Sequence, residues 1–312
     1  MTFSKVGGVY TKSNVAVPVN VREPLSWNSY NTPNLYSLEP SPVLQVADLK
    51  IWFSADRDVT LVSGNVSVWG DKSLVGGLQS ISQATAANRP AYVVADPAFN
   101  NLSSINFDGT NDRLQDDVAA DVNFLHDGTG CTMFAVIKVE GVATDQYSIS
   151  TFGPEVSDPG ISLIYNSDLG YYRHWRLFVR NEGAFVINVN TGAESVKENS
   201  TNIVTYRYLE GRPGNEYDLR LDSVVKASGN TLDTPSSADG TILTFGCLPF
   251  TVNDAFSSCR IAEVIMYTRY LTDAETIKIE EYLRLKYRTP AIQYIKPVGI
   301  ISSESFGICI VE

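Results

Sequence analysis

The sequence predicts an all-β protein, an antiparallel sandwich that one helix near the C-terminal end closes. About a dozen short segments rich in Val, Ile, Phe, Tyr and Thr are separated by Gly, Asn and Asp between residues 48 and 267. Such spacing, without helices alternating between the strands, is typical of antiparallel sheets packed in two layers. The one long helical pattern follows the last of these segments.

Individual strands are predicted from their composition. Both alternating sets of side chains in CTMFAVIKV, residues 131–139, are largely apolar, so this strand should be covered on both faces. Trp52 and Trp69 stand in the segments LKIWFSA and NVSVWGD, and their large rings should lie in the core. The segment FDGTND is predicted to be a turn, because Gly109 can adopt positive φ and Asp108 can bond its own backbone.

The helix is predicted from the segment RIAEVIMYTRYLTDAETIKIEEYLRLKY, residues 260–287. Thr272 and Glu275 have the spacing of a capping box, in which each side chain satisfies a backbone amide at the start of a helix. A helix that follows a strand so directly should fold back on the sandwich and close it. Side chains at three- and four-residue spacing form one apolar stripe on this otherwise charged helix, namely Ile279, Tyr282, Leu283 and Lys286.

The two ends of the chain, residues 1–47 and 290–312, differ in composition from the central domain predicted over residues 48–289. Proline recurs among Ser, Asn and Tyr in the first end, where apolar periodicity is weak. Proline removes a backbone donor and favours extended conformations. We therefore predict extended N-terminal and C-terminal arms that bury apolar side chains on a partner. The predicted anchoring residues are Val17, Val19, Val21, Trp27, Tyr30, Tyr36, Ile295, Ile300 and Phe306.

The charge and hydropathy of the chain argue against several classes of function. The formal net charge of −11 and the pI near 4.7 argue against binding to nucleic acid or to an anionic membrane surface. No run approaches the roughly 18 apolar residues that a membrane-spanning helix needs. The first residues show no apolar segment followed by a cleavage site, so we expect synthesis in the cytoplasm without a secretion signal.

Four cysteines, Cys131, Cys247, Cys259 and Cys309, are too few and too scattered for a disulfide scaffold or a structural zinc site. If TILTFGCLPF and SSCRIAEVIMY form a hairpin centred near Asn253, Cys247 and Cys259 fall opposite each other. Two interpretations stay open for that pair. Buried thiols are typical of a cytoplasmic product, whereas a disulfide would need later oxidation.

Five segments resemble, in order, the laminin-G-like, concanavalin A-type jelly-roll domains of bacterial and bacteriophage proteins. They are LKIWFSADRDVT, VSVWGDKS, RPAYV, INFDGTNDRL and the strand IAEVIMY followed by the helix start LTDAE. The resemblance covers roughly residues 49–287 and implies a jelly-roll topology for the sandwich. The chain departs from the family pattern after Ser73, where LVGGLQS replaces the usual turn rich in Gly and Asn.

The resemblance also implies a candidate metal site. Domains of this type often carry one Ca²⁺ ion on a rim, held by aspartates and backbone carbonyls. Asp56, Asp108 and Asp112 are hard oxygen ligands in predicted loops. The alternative is that these aspartates only stabilise their turns.

An aromatic cluster in DLGYYRHWRLF is a candidate glycan-binding site. Sugars stack their apolar faces on aromatic rings, while carboxylates and guanidinium groups bond the sugar hydroxyls. The alternative is an aromatic-rich strand in which every second residue is buried. The candidate residues are Asp168, Tyr171, Tyr172, Arg173, His174 and Trp175.

No catalytic set is predicted. Glycoside hydrolases of this fold class place two carboxylates on either side of the glycosidic bond. The nearest pattern is EYDLRLD, in which Glu216, Asp218 and Asp222 share one strand face by the period of two. Arg220 interrupts that face, and we interpret it as a solvated outer surface leading into a turn at residues 222–223. The two histidines belong to no nucleophile pattern.

These observations predict a non-catalytic structural protein of a virus particle. The virus type that they favour most is a tailed bacteriophage. Its arms would attach it to the capsid, neck or tail, and the sandwich would face outward as a decoration or an adhesin for host glycans. The expected location is the virion, with other virion proteins as partners in a homo-oligomeric or other multi-copy assembly. No cofactor is expected apart from the candidate Ca²⁺. Two alternatives stay open, a free carbohydrate-binding module and a glycoside hydrolase.

Overall fold

In the computed structural model, the chain forms two compact units, Met1–Ser41 and Pro42–Glu312. Within the described part, no helix is long and apolar enough to cross a membrane. The residues described are 4–6, 9–12, 15–18, 41–73, 80–116, 118–140, 145–152, 158–166, 173–193, 195–196, 199–249 and 256–287.

The first unit contains an antiparallel sheet of β1 (Ser4–Val6), β2 (Val9–Lys12) and β3 (Val15–Pro18) in sequential order. Two residues separate each pair of strands, and both linkers, GG and SN, have the composition of two-residue hairpin loops. An extended arm was predicted for residues 1–47. In the structure, part of that segment instead forms a small antiparallel sheet with itself. The predicted anchoring side chains all lie outside the described side chains: Val17, whose backbone is in β3, and Val19, Val21, Trp27, Tyr30, Tyr36, Ile295, Ile300 and Phe306.

The second unit is all-β and antiparallel, with a helix at its C-terminal end. A short helix α1 (Pro42–Gln45) precedes the strands, and helix α2 (Asp273–Tyr287) follows them. The strands are β4 (Leu49–Ser54), β5 (Val59–Val62), β6 (Asn65–Gly70), β7 (Ser80–Ser82), β8 (Ala91–Asp96), β9 (Leu102–Asp108), β10 (Leu114–Gln115), β11 (Cys131–Val139), β12 (Gln146–Ser150), β13 (Gly160–Asn166), β14 (His174–Arg180), β15 (Phe185–Asn190), β16 (Thr201–Tyr208), β17 (Tyr217–Leu221), β18 (Val224–Gly229), β19 (Thr244–Phe245) and β20 (Ser258–Tyr267).

The strands form two layers. The first layer runs β18-β17-β16-β11-β20, with β4 and β9 pairing to successive parts of the free edge of β20 and β8 pairing to β9. The second layer runs β15-β14-β13-β12-β19-β10-β7-β6-β5. Strand β6 of the second layer pairs with β8 of the first where Asn65 lies opposite Ala91, so the two layers belong to one continuous sheet. The chain passes repeatedly from one layer to the other.

The larger apolar core lies between the two layers. Phe53 of the first layer meets Trp69 and Phe245 of the second, with ring centroids 5.3 and 5.8 Å apart. Strand β11 contributes Met133 to this core and turns Phe134 towards a second apolar cluster beneath α2. The predictions of a doubly covered central strand and of a buried Trp69 are therefore confirmed.

Helix α2 covers the outer side of the first layer. Its capping box is confirmed, because the amide of Glu275 donates to the Thr272 hydroxyl at 3.3 Å and the amide of Thr272 donates to the Glu275 carboxylate at 3.0 Å. Ile279 and Leu283 are fully buried in the second cluster with Trp52. The burial of these residues holds the helix on the sheet and confirms the predicted stripe.

The outer face of β17 was predicted to be solvated, and this prediction is wrong. Asp218 and Arg220 are only 4% and 6% exposed, because α2 and its preceding loop lie over them. Arg220 donates to the carboxylate of Glu280 in α2 at 2.8 and 3.1 Å. Asp218 accepts from Arg207, which also donates to Asp273 at the start of α2. The charged face of β17 is a docking surface for the helix.

The cysteine pair does not have the predicted register. Cys247 bridges to Phe256, whereas Cys259 lies opposite Phe107 and Val139. Both thiols are free and buried, which confirms the interpretation as buried thiols.

Candidate functional site

The predicted aromatic glycan site is not assembled as expected. Trp175 is fully buried in the main core, where its ring lies 5.8 Å from that of Tyr165. Arg173 and His174 are half-buried at the start of β14. Trp175 cannot offer its ring to a sugar, so the alternative interpretation of a strand with alternate residues buried is correct here. Asp168, Tyr171 and Tyr172 lie outside the described residues.

The three predicted metal ligands are not brought together. Asp56 follows β4 and lies 3.2 Å from the ammonium group of Lys286. Asp112 accepts the amide of Asp108 at 3.0 Å in the turn after β9, and burial raises the pKa of Asp112 to about 6. Among the residues that the structure describes, no group of three or more His, Cys, Asp or Glu could hold a metal ion.

Lys286 of α2 joins two carboxylates, those of Glu263 and Asp56. Glu263 of β20 accepts hydrogen bonds from the Trp52 indole and the Tyr287 hydroxyl, each at 2.6 Å, and from the Lys286 ammonium at 2.7 Å. The same ammonium contacts Asp56. Burial alone would lower the pKa of Lys286, but Glu263 holds it above its ordinary value. Because Glu263 has no exposed surface, the ion pair of Glu263 and Lys286 anchors the end of α2 and does not face a ligand.

Partly exposed polar and aromatic side chains lie on the outer side of strands β12, β14 and β15. Strand β14 alternates strictly, with Trp175, Leu177 and Val179 in the core and the residues between them half-exposed. In the neighbouring strand β13, Ser162 and Ile164 pair with Phe178 and Arg176 and are fully buried, whereas Phe185 and Asn188 of β15 are exposed. We call this surface the arginine face; its members are Tyr147, Arg176, Phe178, Arg180, Phe185 and Asn188.

Guanidinium groups and phenyl rings alternate along the arginine face. Arg176 lies over the ring of Phe178 at 4.1 Å, and Arg180 lies over the rings of Phe185 and Phe152 at 4.9 and 5.0 Å. The rings of Phe178 and Phe185 are themselves 4.9 Å apart. Stacking of this kind holds a guanidinium plane in place.

Polar side chains fix the remaining parts of the face. Arg176 donates from Nε and Nη2 to the amide oxygen of Asn188 at 3.2 and 3.1 Å. Ser162 pairs with Phe178 in the sheet, and the buried hydroxyls of Ser150 and Ser162 are 2.7 Å apart. Burial raises the pKa of Tyr147, so its hydroxyl stays protonated and can donate a hydrogen bond. The face is therefore preorganised by contacts within the protein.

The local charge of the arginine face is opposite to that of the chain. The chain has a formal net charge of −11, but the six members of the face include two arginines and no carboxylate. Among the described residues, the nearest carboxylates in sequence are Asp145 before β12, Asp158 before β13 and Glu182 after β14. An anionic group is therefore the ligand that this surface attracts best.

Sequence reasoning missed the arginine face although its signal was visible. In the segment WRLFVR, residues 175–180, period-two alternation puts Arg176, Phe178 and Arg180 on one side of a strand. Trp175, which the predicted glycan site includes, lies on the other side. The contributions of Phe152 and Phe185 depend on strand pairing, which the local sequence does not reveal.

The fold is similar to that of solved sialidases. The match to Trypanosoma rangeli sialidase in complex with sialic acid has a TM-score of 0.52 and 17% identity, and it covers 78% of this chain and 34% of that chain. A second structure of Trypanosoma rangeli sialidase matches with a TM-score of 0.51, and its complex with the inhibitor DANA with 0.50. This chain thus spans about a third of the length of those sialidases. No protein-family model and no curated protein matches the sequence.

These neighbours correct the predicted function. A non-catalytic bacteriophage structural protein was predicted, whereas the solved structures that share the fold are sialidases, which are enzymes. The predictions of a virion structural role and of a non-enzymatic protein are therefore wrong. At 17% identity, the likeness itself establishes a shared fold.

Proposed function

We propose that this chain recognises acidic sugars of the sialic-acid type, as the glycan-binding β-sandwich of a sialidase-like protein. The observation that carries the proposal is the alternation of arginine and phenylalanine on the arginine face. A sialic acid has a carboxylate for an arginine and a ring with apolar C–H groups for a phenyl surface. Arg176 and Phe178 provide these two groups only two residues apart on β14.

The carboxylate of the sugar pairs with the guanidinium group of Arg176 in this arrangement. Arg176 is half-exposed and held by stacking on Phe178, so little side-chain entropy is lost when an anion binds. Charge-assisted hydrogen bonds between guanidinium and carboxylate are stronger than neutral ones. The ring of Phe185, at the exposed edge of β15, offers the stacking surface.

The likeness to sialidases supports the same ligand class. One of the matching structures contains sialic acid, and the residues of the arginine face provide chemistry that suits such a ligand. We also propose that the two layers form the laminin-G-like, concanavalin A-type jelly roll that the five sequence segments resemble. The antiparallel pairing, the repeated crossing between layers and the pairing of β4 with β20 support that topology.

Binding of 3′-sialyllactose and of lactose to the full chain tests the proposal by calorimetry. We expect 3′-sialyllactose to bind at least about tenfold more tightly than lactose, since one charge-assisted hydrogen bond contributes about 1.5–3 kcal/mol. Assaying the same samples for free sialic acid distinguishes recognition from cleavage. Equal affinity for both sugars, or no binding of either, would contradict the proposal.

Matched arginine variants locate the site. Arg176→Gln and Arg180→Gln each remove a charge from the arginine face and should weaken 3′-sialyllactose binding by about tenfold or more. The control is Arg57→Gln, an exposed arginine that follows β4 in the other layer, and it should bind as the unaltered chain does. If Arg57→Gln lost as much affinity for 3′-sialyllactose as the two variants do, the arginine face would not be the binding site.

A further inference from the structure

A long connection without helix or strand joins β18 to β19 and crosses the end of the second layer. Its residues 232–241, which we call the strap, are held at several points. The amide of Leu232 donates to the Val186 carbonyl at 2.8 Å, and the amide and hydroxyl of Thr241 donate to the Thr151 carbonyl at 2.9 and 2.6 Å. Irregular connections of this length are uncommon in compact domains and often functional.

His126 is the central attachment of the strap. Its Nε2 atom lies 3.1 Å from the carbonyl of Ala238, so Nε2 carries the proton and donates in the neutral ring. The residue is fully buried, and its Nδ1 atom has no hydrogen-bond partner among the described residues. A second proton at Nδ1 would therefore create a buried cation with an unsatisfied donor.

Carboxylates surround this histidine on each side. Asp127 follows it in its own loop, Asp239 faces it from the strap, and Glu182 faces it from the turn between β14 and β15. Glu210 packs against Gly128 in the loop that continues from Asp127. These groups favour a charged His126, yet burial is the larger effect and lowers the pKa of His126 below its ordinary value.

The strap also contacts the residues that border the arginine face. The side chain of Asn181 donates to the Thr234 carbonyl at 3.0 Å, and the hydroxyl of Ser236 donates to Glu182 at 2.5 Å. Asn181 and Glu182 directly follow Arg180. Thr151, which accepts from the strap, precedes Phe152, one of the two rings beneath the Arg180 guanidinium. Movement of the strap must therefore disturb the Arg180 end of the face.

We propose that the strap is a proton-controlled clamp on the arginine face, closed while His126 is neutral and released when His126 takes up a proton. The link to ligand binding rests on the proposed function; the opening of the strap does not. Opening exposes His126 to water, where its pKa returns to about 6.5 or above beside Asp127. Proton uptake thus favours the open state as the pH falls below that value, by at most about tenfold per pH unit for one proton.

Hydrogen exchange of the full chain tests the clamp directly. The amides of Gly240 and Thr241 bond to Asn123 and Thr151, and they report closure of the strap. After correction for intrinsic rates, we expect their protection to fall severalfold between about pH 7.5 and about pH 5.5, while amides in the centre of β11 keep theirs. Equal protection at both pH values would overturn the proposal.

Two histidine variants assign the effect. His126→Gln keeps a donor for Ala238 but cannot be protonated, so the protection of Gly240 and Thr241 should no longer depend on pH. The control His174→Gln should retain the full pH dependence. If His126→Gln does not fold, an NMR titration of the unaltered chain decides, and a pKa of His126 at or above about 6.5 overturns the proposal.

Binding at two pH values separates the clamp from the proposed function. If 3′-sialyllactose binds at about pH 7.5, we expect its affinity to fall severalfold at about pH 5.5 in the unaltered chain and not in His126→Gln. Unchanged affinity at the lower pH would overturn the link between the strap and the arginine face. If no sugar binds at about pH 7.5, the proposed function fails, and the exchange measurement still decides whether the strap opens.

Discussion

Arg220 and Glu280 show how a single buried pair attaches α2 to the sheet. Neither side chain has an appreciable exposed surface, and the pair forms two hydrogen bonds. Removing one partner from such a pair leaves an uncompensated buried charge, which destabilises far more than loss of an exposed pair does. The neighbouring residue Glu281 is exposed and lies 3.7 Å from Arg284.

Glu280→Gln should therefore lower the free energy of unfolding by about 3 kcal/mol. The control Glu281→Gln makes the same chemical change one residue later and should lower it by less than about 1 kcal/mol. Urea denaturation of the full chain measures both values. Equal, small effects would show that α2 is held by its apolar stripe alone.

Local sequence also explains which residues could be assigned in advance. Trp52 and Trp69 were predicted as core because large rings on strands are usually buried, and both are. Asp218 was predicted as solvated because its own strand shows only alternation. What covers that side is α2, more than fifty residues later, and no local pattern contains that information.

At the scale of elements, the segments with dense apolar content were predicted well. CTMFAVIKV corresponds residue for residue to β11, and a turn was correctly predicted at Asp222 and Ser223, which both adopt positive φ between β17 and β18. The strands β5, β7, β8 and β10 have weaker local signals in the sequence. They are short or largely exposed, so their pairing depends on neighbours that are distant in sequence.

The capping box is the element-scale feature that local sequence determines most directly. Thr272→Ala removes the hydroxyl that accepts the amide of Glu275, and it should lower the free energy of unfolding by about 1 kcal/mol. Thr272→Ser keeps the acceptor and should stay within about 0.5 kcal/mol of the unaltered chain. Thermal or urea unfolding distinguishes the two variants. A loss of equal size in both would mean that the hydroxyl does not contribute.

At the scale of the whole molecule, the central unit begins earlier than predicted. A boundary at residue 48 was expected, but Val43 and Val46 of the α1 segment are buried in the cluster beneath α2. The carbonyl of Val43 also accepts the hydroxyl of Tyr267 at 2.9 Å. Composition placed these residues with the preceding proline-rich segment, whereas their packing places them with the sandwich. The predicted virion location and virion partners of the chain ends stay predictions.

Two truncated chains test this boundary. A chain of residues 42–312 should have nearly the same free energy of unfolding in urea as the second unit has within the full chain. A chain of residues 48–312 lacks both valines and should be less stable by about 3 kcal/mol, since burial of each valine contributes about 1.5 kcal/mol or more. Equal stability of the two chains would show that α1 is dispensable.

The central claim is that the arginine face holds an acidic sugar. The most direct measurement is NMR of the isotopically labelled full chain during titration with 3′-sialyllactose, with lactose as the matched neutral sugar. The account predicts that 3′-sialyllactose shifts the signals of Arg176, Phe178, Arg180 and Phe185 and that lactose does not. Shifts confined to residues elsewhere in the sandwich, or identical shifts with both sugars, would contradict it.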